Sequence, residues 1–144
     1  MLKTLLSGYF QQNRLQSFGL LALRLAAGIA LAFHGYGKIQ QGATTWFGDA
    51  VPPALQGLAT FCEFGGGLAM VLGLLTPLSM LGVICTMIGA LGLVHIPYHD
   101  PYVSPKGGSS AELATVYLTT ALLLLFNGPG IFSLDYLFCK GKCK

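Results

Sequence analysis

The sequence predicts an all-α membrane protein, an antiparallel bundle of four transmembrane helices. Of its 144 residues, 53% are hydrophobic and only 9% are charged, and the mean hydropathy is +0.66. A soluble domain is usually about a quarter charged, because its surface faces water. With so few charges, much of the surface of this chain must face lipid.

An amphipathic segment is predicted at residues 1–17, ahead of the first span. Its apolar residues are interspersed with polar ones, including Lys3 and Arg14. It therefore lacks the continuous apolar stretch and the cleavage site of a signal peptide. We expect it to form a short helix on the cytoplasmic membrane surface.

Four apolar stretches follow, at about residues 18–37, 54–75, 78–96 and 111–126. At about 1.5 Å per residue, the first three are long enough to cross a hydrocarbon core of roughly 30 Å, whereas the fourth needs local thinning of the bilayer. Thr76-Pro77 closes the second stretch, so the second and third helices form a tight hairpin. The breaker sequence at residues 127–130 ends the fourth. The whole chain, residues 1–144, is predicted to be one domain with a tail at residues 131–144.

The basic residues near the chain ends predict the orientation. Lys3 and Arg14 precede the first helix, and lysines at positions 140, 142 and 144 follow the fourth. The two loops on the other side carry one lysine each, offset by an aspartate in each loop. By the positive-inside rule, both termini are predicted to be cytoplasmic.

Ionisable side chains in the spans are the candidate functional residues, because a charge at the centre of a membrane helix costs about 2.5–3.5 kcal/mol. Such residues face the bundle interior and usually have partners. Helical rise places Arg24 about 9 Å and Glu63 about 16 Å above the inner face, within reach of an arginine side chain. We therefore predict an Arg24–Glu63 ion pair near the midplane. A purely structural lock between two helices is the alternative.

A second group of polar residues approaches the outer face. Its members are His34, Lys38, His95 and Glu112. Gly28 and Gly35, on the same side of the first helix, are expected to leave room beside the charged groups. The prediction is a polar-ended, apolar-walled pocket that opens outward. The alternative is that His95 and Glu112 only cap helix ends in the headgroup layer.

The four cysteines lie in two settings. Cys62 and Cys85 are predicted at different depths, about 12 and 17 Å below the outer face, and are interpreted as packing residues. Cys139 and Cys143 lie in a lysine-rich tail and are either reactive thiols or part of a flexible end. Two thiols alone do not form a zinc site, so no metal is predicted.

Small residues at positions 65, 69 and 73 of the second helix permit close approach of another helix, either inside the bundle or in an assembly.

Short motifs occur in a fixed order along the chain. They are Arg24 followed by Phe33-His34-Gly35-x-x-Lys38, Glu63 before Gly66-Gly67, the Gly73-Leu74-Leu75-Thr76 turn, His95, Gly107-Gly108 ahead of Glu112, and Gly128-Pro129-Gly130 leading to Ser133-Leu134-Asp135. In this order, over about residues 18–135, the chain resembles the DoxX family of four-helix bacterial membrane proteins. Some members form the membrane part of thiosulfate:quinone oxidoreductase, and others are linked to redox-stress complexes.

The resemblance implies a multi-pass protein of the bacterial cytoplasmic (inner) membrane, with a candidate site at Arg24, His34, Lys38, Glu63, His95 and Glu112. The leading hypothesis is a membrane subunit of a quinone-linked oxidoreductase, with a quinone as cofactor. In it, His34 or His95 hydrogen-bonds a quinone carbonyl, and His95 or Glu112 exchanges protons with the outer side. Lys38 stabilises developing negative charge, and the Arg24–Glu63 pair forms the pocket floor.

The expected partners are membrane lipid and a soluble or membrane redox protein. A homo-oligomer is left open. No nucleic-acid partner is expected, because the net charge of +3 includes no suitable basic run. A non-catalytic scaffold subunit is the alternative function, and a small-solute carrier is a third.

Overall fold

A computed structural model describes residues 12–139, which form helices and loops without any strand. The helices are α1 (Arg14–Gln40), α2 (Pro53–Leu72), α3 (Thr76–Ala90), α4 (Glu112–Asn127) and the short α5 (Leu134–Cys139). A 3-10 turn at Gly48–Ala50 interrupts the loop between α1 and α2, and α3 continues as a π-helical turn at Leu91–His95.

The apolar residues of these helices lie mostly on the outside of the bundle. Arg14–Gln40, Pro53–Leu72 and Thr76–His95 are long and apolar enough to cross a membrane, and Glu112–Asn127 is a shorter apolar helix. Only 17% of the most apolar stretch of Thr76–His95 is buried inside the protein, so most of the surface of this helix must face lipid. The predicted fold class, an all-α membrane protein with a four-helix bundle, is confirmed.

Capping residues account for where α1 begins and α2 ends. Asn13 accepts a hydrogen bond from the Gln16 amide at 2.8 Å and its own amide donates to the Gln16 side chain at 3.0 Å, a capping box that starts α1 four residues before the predicted span. The part of the predicted amphipathic segment before residue 12 lies outside the described residues. Gly73 ends α2 in the left-handed conformation (φ 61°), which glycine adopts without strain.

Glycines bring α1 and α2 into close contact. A Cβ on Gly28 would lie 2.8 Å from the Gly67 carbonyl oxygen, and a Cβ on Gly35 would overlap the Phe64 backbone. The sequence suggested that these two glycines leave room for a ligand, and the structure shows that they do not. The backbone of α2 occupies that space, which is the usual role of small residues between membrane helices.

The core lies where α1, α2, α3 and α4 meet. Its buried apolar side chains include Leu31, Met70, Met80, Val83, Met87, Tyr117, Ala121 and Leu124. In the tight α2–α3 hairpin, Gly66 lies against Val83, whose Cγ2 is 2.8 Å from where a Cβ would stand. The hairpin makes α2 and α3 antiparallel and sets which of their residues face each other.

Candidate functional site

An ion pair between α1 and α2 is the centre of the candidate site. Lys38 Nζ lies 2.6 Å from Glu63 Oε1, and the two side chains are 20% and 5% exposed. Glu63 Oε2 is buried and has no hydrogen-bond partner among the described residues. An ionised carboxylate normally accepts several hydrogen bonds, so this oxygen is an open acceptor in an apolar setting.

The predicted Arg24–Glu63 ion pair is wrong, because the register of α1 against α2 differs from the one inferred from helix ends. Gly35 packs against Phe64, so Glu63 is within one turn of Lys38. Arg24 precedes Lys38 on α1 by about 21 Å along the helix axis, so its side chain cannot reach Glu63.

Arg24 instead binds the backbone at the opposite end of the bundle. It is 1% exposed, and it donates from Nε to the Met70 carbonyl (3.1 Å) and from Nη2 to those of Val71 (3.1 Å) and Phe132 (2.9 Å). Nη1 donates to the Pro129 carbonyl. The guanidinium thus binds carbonyls at the C-terminal end of α2, of which that of Met70 also accepts the Gly73 amide. A positive charge there interacts favourably with the helix dipole.

Asp135 completes this lock from the C-terminal side. Its carboxylate accepts the backbone amides of Leu75 and Thr76, each at 2.8 Å, at the start of α3. Its own amide donates to the Gly73 carbonyl at 2.9 Å. The segment predicted as the start of a tail is therefore packed against the α2–α3 turn as far as α5.

Trp46 covers the Lys38–Glu63 pair. The Lys38 ammonium lies 4.0 Å from the centroid of the Trp46 ring, a cation–π contact. Gln56, which is 1% exposed, holds the loop that carries Trp46. Its amide nitrogen donates to the Gly48 and Val51 carbonyls, each at 2.7 Å, and its oxygen accepts the Phe47 amide at 2.8 Å.

A groove of about 750 Å³ runs along the α2–α3 hairpin and ends at the ion pair. Most of its lining is aliphatic or aromatic, and Lys38, Trp46, Gln56 and Glu63 form its polar end. This size, with apolar walls and a few polar groups, is typical of sites for small organic ligands. A ligand with a polar head and an apolar body fits it.

A second cavity of about 510 Å³ lies on the other side of Lys38 and contains His34 and Gln41. Lys38 and Trp46 line both cavities. The exposed His34 ring also contacts Tyr117 edge-on, with 5.8 Å between ring centroids. Of the predicted site residues, the structure therefore brings together Lys38 and Glu63, with His34 in the adjacent cavity.

Comparison with known proteins shows the relationship of this chain. The family model described as DoxX matches residues 19–96, more than half of the chain. The inner membrane protein YqjF of Escherichia coli (strain K12) is 32% identical over 134 residues, which cover 89% of this chain and 98% of YqjF. The chain belongs to the DoxX family. No solved structure gives a significant match. The apolar helices and the inner-membrane relative together support a multi-pass inner-membrane location.

Besides Arg24, two of the residues implied by the DoxX resemblance, His95 and Glu112, lie outside both cavities. His95 Nδ1 is 2.8 Å from Asp100 Oδ2, and Ser109 Oγ donates to the same oxygen at 2.5 Å. The hydrogen bond from Ser109, followed by that with His95, lowers the pKa of Asp100. Glu112 is exposed at the first turn of α4. His95 thus joins the π-helical turn to the loop before α4.

The small-residue stripe of this DoxX-family chain does not form one outer face. Gly73 is buried against Ser133 and Arg24, whereas Gly65 and Ala69 line the groove. Within the described residues, no group of three or more His, Cys, Asp or Glu side chains could hold a metal ion.

Sequence reasoning missed Gln56 as a residue that shapes the site. The sequence feature that could have identified it is a single amide side chain one turn inside an apolar helix, because an unpaired polar group there is costly and must find partners.

Proposed function

We propose that this protein is a membrane subunit of a quinone-linked oxidoreductase and that the groove between α2 and α3 binds the quinone. The observation that carries the proposal is the open Oε2 of Glu63. Glu63 is 4% exposed, its other oxygen binds Lys38, and it lies at the polar end of an apolar groove of about 750 Å³. A buried acceptor without a partner indicates a donor that the ligand supplies, and the hydroxyl of the reduced form, the quinol, is such a donor.

The residues at the two ends of the groove fit the two parts of a quinone. Lys38 offers an ammonium that can donate to a ring carbonyl oxygen, and Glu63 can hold a proton beside it. Leucines at positions 74, 75 and 78, at the far end of the groove, suit an isoprenoid tail. The open side of the groove allows such a tail to extend into the lipid.

When bound, a quinone accepts two electrons and two protons. The side chains of this protein would supply the charge balance and the protons. Lys38 stabilises negative charge on a ring oxygen, and its ammonium is held in place by Glu63 and the Trp46 ring. Glu63 exchanges a proton with the ligand. The cavity with His34 and Gln41 provides an approach for water-borne protons to Lys38.

The charge distribution supports an orientation with both termini in the cytoplasm, which places the Lys38 end of the bundle near the outer face. In that orientation the quinone head lies close to the outer aqueous phase. The electron donor would be a soluble or membrane redox protein.

Quinone titration of the purified protein, followed by the fluorescence of Trp46, tests the proposal. Trp46 is the only tryptophan and lies in the site, so a short-chain ubiquinone analogue should quench it saturably. Lys38→Met removes the donor to the ring carbonyl, and Glu63→Gln removes the charged partner that holds Lys38 in place. Each should raise the Kd about tenfold, the effect of losing one hydrogen bond to a charged group.

Matched controls are available for both variants. Lys106→Met removes an exposed loop lysine and Glu112→Gln an exposed glutamate, and neither residue lines the groove. Both controls should bind like the wild type. Quenching that rises linearly with quinone concentration, or that is equal in all five proteins, would rule out this site.

A further inference from the structure

Two cysteines line the groove. Cys62 on α2 and Cys85 on α3 are both free thiols, and both contribute to the wall beside Glu63. The proposed binding roles of Lys38 and Glu63 do not use them. Cys85 is exposed and Cys62 is half-buried, so a ligand in the groove can reach both.

The register of the α2–α3 hairpin places the two cysteines at a similar level of the groove. Gly66 meets Val83 and the Ser79 carbonyl, so the residue one turn before Gly66 must meet the residues around position 85. Cys62 is that residue. Its Sγ would lie 3.1 Å from a Cβ on Gly82, and Thr86, whose hydroxyl donates to the Gly82 carbonyl, lies near the thiol.

Cys85 follows Gly82 by three residues and therefore lies beside it on the α3 surface, next to the face that contacts Cys62. Both cysteines line the same groove. The absence of side chains on Gly66 and Gly82 allows the two helices to approach closely here. Close approach is needed for a disulfide, whose Cα atoms are at most about 7 Å apart. The sequence predicted different membrane depths for Cys62 and Cys85, whereas the hairpin register places them at a similar depth.

We propose that Cys62 and Cys85 form a dithiol that reduces the quinone bound in the groove. The inference rests on the proposed function, because the quinone is the oxidant. Two S–H bonds break and one S–S bond forms between the cysteines. The two electrons and two protons released pass to the quinone, which becomes a quinol.

Glu63 suits the proton transfer that this step needs. The thiolate is the reactive form of cysteine, so a proton acceptor must stand near the thiol. Glu63 follows Cys62 in the chain, lines the same groove and has its Oε2 open. The pair would then be reduced again by a dithiol or another electron donor of the membrane.

The experiment uses the full chain in lipid nanodiscs with Cys139→Ser and Cys143→Ser, so that only the groove thiols remain. A short-chain ubiquinone analogue is added without oxygen, quinol is measured by ultraviolet absorbance, and thiols are counted by maleimide labelling. We expect one quinol for each two thiols lost, and a disulfide between the Cys62 and Cys85 peptides by mass spectrometry. Cys62→Ser and Cys85→Ser should each slow quinol formation at least tenfold.

Three results would overturn the inference in distinguishable ways. Saturable quenching of Trp46 with both thiols retained would reject the dithiol and leave the quinone site intact. A mass increase by one whole quinone, without quinol, would show an adduct instead of electron transfer. Absence of quinone binding would reject both proposals.

Oxidation with diamide tests the geometry without any quinone. It should link Cys62 to Cys85, but not to a thiol moved to the neighbouring position by Cys85→Ser with Ile84→Cys, which points to another face of α3. Equal linking in both proteins, or none in either, would show that the two native thiols do not face each other.

Discussion

Replacing Arg24 by methionine removes the guanidinium that ties three parts of the chain together. Its donors bind two carbonyls at the end of α2 and two between α4 and α5. Arg24 is 1% exposed, so the carbonyls it leaves behind are not hydrated at once. Methionine fills a similar volume, which limits the effect of a cavity and isolates the loss of hydrogen bonds and charge.

The expected loss follows from these contacts. A hydrogen bond to a charged group contributes about 1.5–3 kcal/mol net, but four bonds to one guanidinium are not independent and do not add fully. A buried carbonyl left without its partner costs about 1–3 kcal/mol. Because four carbonyls lose a partner and the losses do not add fully, we expect Arg24→Met to lower the free energy of unfolding by about 3–5 kcal/mol. Arg24→Lys should lose less, because the charge and some donors remain.

The assay is unfolding in mixed micelles with increasing dodecyl sulfate, followed by far-ultraviolet circular dichroism and by Trp46 fluorescence. Arg14→Met is the matched control, since Arg14 is the other arginine and is exposed in the first turn of α1. If Arg24→Met falls within about 0.5 kcal/mol of Arg14→Met, the range typical of surface substitutions, the reasoning about the lock is refuted.

Two further predictions test the helix contact beside the site and the loop before α4. Gly35→Ala should destabilise the protein by about 1–3 kcal/mol, because its Cβ overlaps the Phe64 backbone. Gly37→Ala, where no heavy atom lies within 4 Å of the new Cβ, should be close to neutral, and equal effects in the same unfolding assay would contradict the packing argument. Hydrogen bonds from Ser109 and His95 lower the pKa of Asp100 in the folded protein. The stability that the Asp100 carboxylate contributes to the loop is therefore complete above the unfolded pKa of about 3.9, and it is lost as the pH falls through the lowered folded pKa. Asp100→Asn should therefore speed amide exchange in residues 96–111 relative to wild type at neutral pH, and the difference should vanish in acid; a difference that persists in acid would show that the carboxylate charge is not its cause.

Local features of the sequence determined the class of this protein. The apolar stretches and the scarcity of charge predicted a four-helix membrane bundle, because span length and lipid exposure depend on consecutive residues. The hairpin at Thr76-Pro77 was also predictable, since turn residues act locally. The candidate functional residues, including Lys38 and Glu63, could also be identified from the sequence, because an ionisable side chain in a membrane span is energetically costly.

Only the tertiary structure decided how those residues combine. The helix ends inferred from the sequence did not give the register of α1 against α2, and the observed register places Lys38, not Arg24, beside Glu63. The contacts of Gly28 and Gly35 with α2 set that register, and the contacts of Gly66 and Gly82 set the register of α2 against α3. Such contacts join residues far apart in the chain, so their geometry depends on packing that no single segment specifies.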